Sequence, residues 1–292
     1  KFGDIMRMKL HNRDLRIFQY KKCGVVPVYS VETLNQDGSS NLVASSKIIN
    51  PIRYYEGDFG IGNQVASLAT SGYADYFADP VKGYFLRLSQ DGLTPISELY
   101  KMQTFSGNNL PNYLKSNSYT NGGVAKILGV FHFSKDRNAE CIMALQPGTG
   151  VTGYTLAFDE IRNCYTSFYS FQPEWMVNYE NKLATFKNGQ LYIHDSSTQN
   201  NFYGTQYSSS VTFVFNKDNI IKKTFDYITL DATDYWLSPN IGDVNTALGQ
   251  ISNLVQSDYE IHEGLYHAAF MRDFNSIGGV INGDYLKGTW VE

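Results

Sequence analysis

The sequence has few charged residues and no long apolar run. Asp, Glu, Lys and Arg make up 18% of the 292 residues, against about 25% in typical globular proteins, whereas hydrophobic residues make up 42%. Such a chain can bury a sizeable core and is not intrinsically disordered. Its apolar stretches fall short of the ~18 residues that a membrane helix needs, and residues 1–10 lack the apolar segment of a secretory signal. We therefore expect an ordered, soluble chain made in the cytosol.

Cysteine is scarce, and its arrangement argues against two kinds of cross-link. The three residues Cys23, Cys141 and Cys164 are odd in number and form no Cys-x-x-Cys pair. This pattern favours neither a disulfide framework nor a zinc knuckle. We interpret the cysteines as small hydrophobic side chains of the core.

Charge is unevenly distributed along the chain. Residues 1–22 hold seven basic and two acidic side chains, a net charge of +5, whereas residues 231–292 hold nine acidic and two basic ones, a net charge of −7. Two ordinary solvated faces are one interpretation, and contact with oppositely charged neighbours in an assembly is the other. We predict that the acidic stretch faces either a channel or a basic neighbour.

Aromatic residues are abundant, and turn-forming residues recur at short intervals. The chain has 22 Tyr and 18 Phe, residue types that favour pleated strands. Stretches such as 211–215 and 225–230 alternate in period two, as strands do. The turns between the stretches indicate successive hairpins. These turns lie at residues 37–38, 80–83, 91–92, 121–123, 136–138, 188–189 and 216–219.

This pattern predicts an all-β fold of antiparallel hairpins and β-propeller-like blades, with a sandwich as the alternative or as an insertion, and at most short helices. The segments 79–84 (DPVKGY) and 159–165 (DEIRNCY) share a turn followed by an aromatic residue and start 80 residues apart. That offset is close to two blades of roughly 40–45 residues each. Residues 244–255 are an exception to the strand pattern, because their apolar spacing fits a short helix after an Asp243 cap.

Two motifs resemble ligand sites but lack the required context. Residues 148–153 (GTGVTG) match the dinucleotide-binding pattern, yet a strand-like segment follows where that pattern needs a helix. We interpret them as a hairpin loop. His262 and His267 resemble a metalloprotease signature with one residue too many. Their spacing places them on opposite faces of a strand or about 140° apart on a helix, so we expect no shared zinc ion.

Pairs of carboxylates have no distinctive pattern in this chain. A glycosidase needs two acids about 5–9 Å apart, and Asp226, Asp231 and Asp234, or Glu260 and Glu263, are candidates in principle only. No nucleic-acid-binding motif accompanies the net charge of −4. The sequence therefore predicts a non-enzymatic protein, with no catalytic, cofactor-binding or metal-binding residue and no cofactor.

Segments along most of the chain resemble the muzzle- or nozzle-type tail proteins of crAss-like podoviruses, which are phages of gut Bacteroides-type bacteria. The most distinctive segments are 155–160 (TLAFDE), 170–176 (SFQPEWM) and 185–194 (TFKNGQLYIH). The other segments are 12–19 (NRDLRIFQ), 24–28 (GVVPV), 54–62 (YYEGDFGIG), 76–83 (YFADPVKG), 86–97 (LRLSQDGLTPIS), 263–273 (EGLYHAAFMRD) and 283–288 (GDYLKG).

The resemblance implies a structural virion protein of the distal tail, assembled in the host bacterial cytoplasm. It implies a homo-oligomeric, hexameric ring around the DNA ejection channel. Its partners would be other tail and ring proteins, phage DNA passing without specific binding, and a host surface. Members of the family are longer, so we expect this chain to be a fragment, with a propeller-like body over 1–230 and an acidic β segment over 231–292 that continues the body or contacts neighbours.

A carbohydrate- or receptor-binding tail module is the alternative function, because loops bearing Tyr and Trp can stack on sugar rings. Saturable binding of the isolated chain on a glycan array would favour that module over a structural part of the DNA channel. A glycosidase is the third hypothesis, and it predicts hydrolysis of bacterial polysaccharides that is lost on replacement of Asp or Glu.

Overall fold

The computed structural model describes residues 1–11, 14–34, 40–114, 124–133, 139–212, 227–242 and 251–269. These residues form mainly antiparallel strands with short helices, which confirms the predicted all-β class. The chain divides into two compact units, Lys1–Ser210 and Val211–Glu292, while the predicted division after residue 230 stays a prediction. No helix in the described part is long and apolar enough to cross a membrane.

The first unit begins with a five-stranded antiparallel sheet. Its strand order is β1-β2-β3-β4, and β5 pairs with the start of β3. Strand β2 is held by burial of Ile17 and Phe18, and its neighbour β3 by burial of Val25 and Val26. The strands are β1 (Ile5–His11), β2 (Asp14–Gln19), β3 (Cys23–Leu34), β4 (Ser40–Ile49) and β5 (Arg53–Tyr54).

A second, four-stranded sheet follows a 3₁₀ helix at Val65–Ser67 and is followed by two short helices. Its strands pair in chain order, and all five residues of its second strand are buried. The elements are β6 (Ala69–Thr70), β7 (Asp75–Asp79), β8 (Tyr84–Ser89), β9 (Gly92–Pro95), α1 (Ile96–Leu99), α2 (Gln103–Asn109) and a 3₁₀ helix at Leu110–Leu114.

Successive residues of β7 face different parts of the core because side chains alternate along a strand. Phe77 packs edge-on against Phe18 of the first sheet, with ring centroids 5.2 Å apart. Tyr76 instead stacks on Phe131 of the third sheet at 5.6 Å. Strand β7 thus lies between two hydrophobic clusters, which explains why its central residues are buried on both faces of the sheet.

The rest of the first unit consists of a four-stranded sheet, a three-stranded sheet and a small hairpin. Both sheets pair in chain order. The four-stranded sheet contains β10 (Ile127–Phe133), β11 (Ala139–Leu145), β12 (Tyr154–Asp159) and β13 (Cys164–Tyr169). The three-stranded sheet contains β14 (Trp175–Tyr179), β15 (Lys182–Lys187) and β16 (Gln190–Ile193), and the hairpin contains β17 (Asn201–Phe202) and β18 (Thr205–Gln206).

The second unit contains a three-stranded sheet of order β19-β23-β22 and a two-stranded pair, β20 with β21. Leu254 and Ala268 form its described core. The elements are β19 (Tyr227–Leu230), β20 (Ser238–Gly242), β21 (Ile251–Leu254), a 3₁₀ helix at Gln256–Asp258, β22 (Tyr259–His262) and β23 (Leu265–Ala269).

The predicted helix over 244–255 is wrong at its C-terminal end, where Ile251–Leu254 is strand β21 paired with β20. Pairing with a neighbouring strand outweighs the weak helical preference of a stretch that contains Gly249, Asn and Ser. Residues 243–250 lie outside the described residues. The predicted strand over 225–230 is confirmed at Tyr227–Leu230. Of the strand predicted over 211–215, Val211 and Thr212 are not strand, and residues 213–215 and 225–226 lie outside the described residues.

Several predicted turns are confirmed by backbone geometry. Asn188 and Gly189 join β15 to β16 with φ of 51° and 72°, the two positive φ angles of a type I′ hairpin turn. Gly83, just before β8, and Gly92, the first residue of β9, also have positive φ. The predicted turns at 37–38, 121–123, 136–138 and 216–219 lie outside the described residues.

The paired segments at 79 and 159 form the same turn. Asp79 Oδ1 accepts hydrogen bonds from the backbone N–H groups of Val81 and Lys82 at 2.8 and 3.1 Å. Asp159 Oδ1 accepts the same two bonds from the second and third residues after it, at 2.8 and 2.9 Å. The turns join the second and third strands of one sheet but the third and fourth of the other. The local repeat is real, and its interpretation as a two-blade period stays a prediction.

Candidate functional site

The three-stranded sheet β14–β16 has a solvent-exposed face of apolar side chains. Trp175, Phe186 and Leu191 lie directly opposite one another across the strands, and Val177 and Ile193 lie in the next row. Trp175 is 47% exposed and Leu191 is 57% exposed. We call these five residues the apolar sheet face.

The opposite face of the same sheet is packed against the rest of the unit. Met176 and Leu183 belong to a buried cluster that also contains Leu128, Ile142 and Phe171. An antiparallel sheet with one buried face usually has polar residues on the other. This sheet is apolar on both, which is the pattern of a surface that another protein covers.

Behind this sheet, on its packed side, lies a cavity of about 450 Å³. Phe171, Phe202, Tyr203, Tyr192 and His194 form one aromatic cluster in its lining. Tyr192 meets Tyr203 edge-on at 4.7 Å, and Phe171 lies 4.8 Å from His194 and 5.1 Å from Phe202 between ring centroids. The short hairpin β17–β18 therefore completes the cavity by supplying aromatic rings.

Acidic and histidine side chains form a second part of the cavity lining. His132 Nε2 lies 3.1 Å from Asp195 Oδ2, and the Tyr169 hydroxyl donates to Glu140 Oε2 at 3.1 Å. His132 and Glu140 are neighbours across β10 and β11. Burial raises the pKa of Glu140, and the hydrogen bond from Tyr169 opposes that shift without cancelling it.

A hydrogen-bonded chain holds His194 in place. The Tyr203 hydroxyl donates to Thr185 Oγ1 at 3.0 Å, and Thr185 Oγ1 lies 2.8 Å from His194 Nε2. The threonine hydroxyl thus links the Tyr203 hydroxyl to the imidazole ring of His194. Burial lowers the pKa of His194 to about 4, which favours the neutral imidazole.

The carboxylates named from the sequence do not meet in a cavity. Asp231, Asp234, Glu260 and Glu263 are all exposed in the second unit, and Asp226 lies outside the described residues. Two other acids, Glu140 and Asp195, share the cavity of the first unit. In the sequence, Glu140 is marked as the one acidic residue of the apolar segment 139–145, whereas nothing in the neighbouring sequence marks Asp195.

The predicted geometry of His262 and His267 is wrong. They do not lie on opposite faces of one strand, because Glu263 and Gly264 turn the chain and place the histidines on the neighbouring strands β22 and β23. Their ring centroids are 5.7 Å apart. Even so, no group of three or more His, Cys, Asp or Glu side chains that could hold a metal occurs in the described residues.

The other sequence motifs have structural roles. Gly148 and Val151 bond to each other in both directions at 3.0 Å, and strand β12 begins at Tyr154, so the predicted hairpin loop is confirmed. All three cysteines are free, with Cys23 and Cys141 buried and Cys164 half-buried. Burial raises the pKa of the Cys23 and Cys141 thiols.

Much of the basic charge near the N-terminus is neutralised inside the first unit. Lys9 and Arg16 both pair with Asp75, at 3.2 and 2.6 Å, and Lys22 pairs with Asp58 at 2.8 Å. These three cations therefore contribute less to an interface than the sequence pattern indicated. The neighbour of the acidic stretch 231–292 stays a prediction.

Comparison with known proteins gives consistent matches along the chain. Residues 1–189 match the family model described as Crassvirus muzzle protein, and residues 197–273 match its C-terminal domain model. The chain is similar to the muzzle protein of Bacteroides phage crAss001, with 22% identity over 241 residues. That match covers 82% of this chain and 16% of the relative, so the chain spans about one sixth of the length of the curated relative it matches.

Proposed function

The chain belongs to the Crassvirus muzzle protein family, and on that premise we propose that it is a structural part of the phage's distal tail, in a ring around the DNA ejection channel. A structural role in the virion tail follows from the family. The ring, its six subunits and the passage of DNA through it belong to the proposal, together with assembly in the host cytoplasm.

The apolar sheet face is the observation that carries the proposal. A closed ring uses heterologous contacts, in which each subunit presents two different surfaces. We assign the apolar sheet face as one of these surfaces, and a neighbouring copy of the same chain would cover it. Trp175 and Phe186 suit this role, because aromatic residues are enriched at the centre of protein interfaces.

Charge supports a conduit that does not hold DNA. Phosphate binding requires cationic side chains, whereas this chain has a net charge of −4 and several N-terminal cations are paired with its own acids. We therefore propose a non-catalytic wall past which DNA slides. The chain should leave a short DNA duplex unretarded in a gel at about 50 mM salt, and retardation there would contradict the sliding role.

Replacement of one residue in the apolar sheet face tests the assembly surface. Leu191→Lys places a charge within the proposed contact, so desolvation of the ammonium group should weaken self-association by about tenfold or more. Sedimentation velocity over a concentration series measures this directly. Ile161→Lys is the matched control, because Ile161 is similarly exposed but lies in the turn between β12 and β13 and is not part of the sheet β14–β16.

The expected result is self-association of the unaltered chain and of Ile161→Lys, with loss of association in Leu191→Lys. Equal association of both variants would refute the assigned surface. Electron microscopy of the tail would then test the ring itself, since a neighbouring subunit on β14–β16 supports the assignment and bare solvent there contradicts it.

A further inference from the structure

The cavity behind β14–β16 shares only Ile193 with the apolar sheet face, and we propose that it binds a short, uncharged saccharide. Its volume of about 450 Å³ falls within the range of about 300–1,000 Å³ of ordinary small-molecule sites. The cavity is lined by aromatic rings together with hydroxyl, amide and carboxylate groups. This combination suits a ligand with apolar C–H faces and many hydroxyl groups.

Aromatic rings supply the surface on which a sugar ring would lie. Tyr192, Phe202 and Tyr203 line the cavity and are only half-buried, so part of each ring remains open. The T-shaped contact of Tyr192 with Tyr203 and the contacts of Phe202 with Phe171 hold the rings in fixed orientations. A ligand therefore meets a preformed surface and pays little entropy to order it.

The charge of the lining excludes anionic ligands. No Lys or Arg is among the described residues that line the cavity, whereas Glu140 and Asp195 are. Phosphates, nucleotides and uronic acids would meet carboxylates without a compensating cation, which is unfavourable in a partly desolvated site. Neutral hydroxyl groups instead can donate to those carboxylates and to the side-chain oxygens of Gln199 and Asn200.

One buried polar atom of the lining is unsatisfied. His132 is 3% exposed, and its Nδ1 has no hydrogen-bond partner although its Nε2 contacts Asp195. Buried polar side chains nearly always have partners, so this histidine is retained at a cost to stability. Such a cost is expected where a residue serves binding rather than packing.

The cavity and the apolar sheet face can be tested separately because each has a residue on β16 that the other lacks. Leu191 is exposed and does not line the cavity, whereas Tyr192 lines the cavity and is not part of the apolar sheet face; Ile193, at the edge of both, is left unaltered. Replacement of Leu191 should abolish assembly without affecting saccharide binding. Replacement of Tyr192 should have the reverse effect, so failure of one proposal leaves the other intact.

The experiment uses the whole chain and four neutral disaccharides, namely cellobiose, maltose, lactose and N,N′-diacetylchitobiose. Saturation-transfer NMR identifies binding, and calorimetric titration up to about 10 mM ligand gives the dissociation constant. We expect saturable binding of at least one disaccharide. Asp195→Asn and Tyr192→Ala should each weaken it about tenfold or more, whereas Leu191→Lys should bind as the unaltered chain does.

Several results would overturn the assignment. Absence of binding by all four disaccharides is one, and unchanged affinity in Asp195→Asn is another. A preference for a uronic acid disaccharide or for inorganic phosphate would contradict the charge argument. Should Tyr192→Ala fail to fold, as judged by its thermal transition, Asp195→Asn still decides, because it preserves the shape of the side chain and removes only its charge.

Discussion

The buried ion pair between Arg16 and Asp75 makes a strong prediction about the first unit. Asp75 is fully buried and Arg16 is 4% exposed. Asp75 accepts hydrogen bonds from Arg16 at 2.6 Å, from Thr70 at 2.8 Å and from Lys9 at 3.2 Å. Replacement by asparagine keeps the size of the side chain but removes the negative charge that compensates two cations.

The expected cost follows from the charge that is left behind. Removing one partner of a buried pair destabilises a protein by about 3–5 kcal/mol, because the other charge stays buried without compensation. The amide oxygen of asparagine still accepts one hydrogen bond and Lys9 can turn to solvent, so we expect the lower end, about 3 kcal/mol. For a unit of this size, that corresponds to a loss of about 6–12 °C in the melting temperature.

Urea unfolding of the whole chain, followed by circular dichroism, measures this change in the free energy of unfolding. Asp58→Asn is the matched control, because Asp58 pairs with Lys22 at the surface and surface pairs contribute little. The double variant Arg16→Met with Asp75→Leu should recover most of the lost stability, since both charges are then absent. A melting temperature for Asp75→Asn as high as that of Asp58→Asn would refute the reasoning.

Three further predictions concern single residues of the first unit. Because burial lowers the pKa of His194 to about 4, the unfolded chain, with a histidine pKa near 6.5, binds the proton first as the pH falls. The contribution of neutral His194 to the free energy of unfolding should be fully present above pH 6.5 and fall by about 3 kcal/mol towards pH 4. Urea titrations at several pH values should find this pH dependence missing in His194→Gln. Gly129→Ala should lower the free energy of unfolding by about 3 kcal/mol, since the new Cβ would lie 2.1 Å from the Ser67 carbonyl oxygen. Gly107→Ala is the control, because Gly107 lies in open space on α2, and it should raise that free energy by about 0.5–1 kcal/mol. Equal melting temperatures of the two variants would contradict both expectations. Gly189→Val should cost about 1–2 kcal/mol, because φ at this position is 72°, and an unchanged unfolding midpoint would show that the turn tolerates a Cβ.

Features that depend on neighbouring residues were predictable from the sequence. The turn at Asn188 and Gly189 needs positive φ at both positions, and these two residue types adopt it at low cost. The twin turns after Asp79 and Asp159 form because each carboxylate bonds the backbone two and three residues ahead. Such interactions are local, so they can be recognised without knowledge of the fold.

Features that depend on chain reversal were missed or wrong. The predicted orientation of His262 and His267 assumed one continuous strand or helix, but a hairpin turn lies between them. Glu140 and Asp195 lie 55 positions apart in the chain and share a cavity only through packing of separate sheets. The helix expected at 244–255 failed at Ile251–Leu254 because a strand partner was available there.

The sequence by itself determined the all-β class, the position of several turns, the low surface charge and the resemblance to a tail-protein family, because each rests on residue type and short-range order. The tertiary structure alone decided which face of β14–β16 remains bare, which acids line the cavity and that Arg16 meets Asp75. Alternation along a strand predicts that its side chains point to two different faces of the sheet, but only long-range packing determines which face is covered. That choice separates the assembly surface at Leu191 from the cavity at Tyr192, one residue away on the same strand.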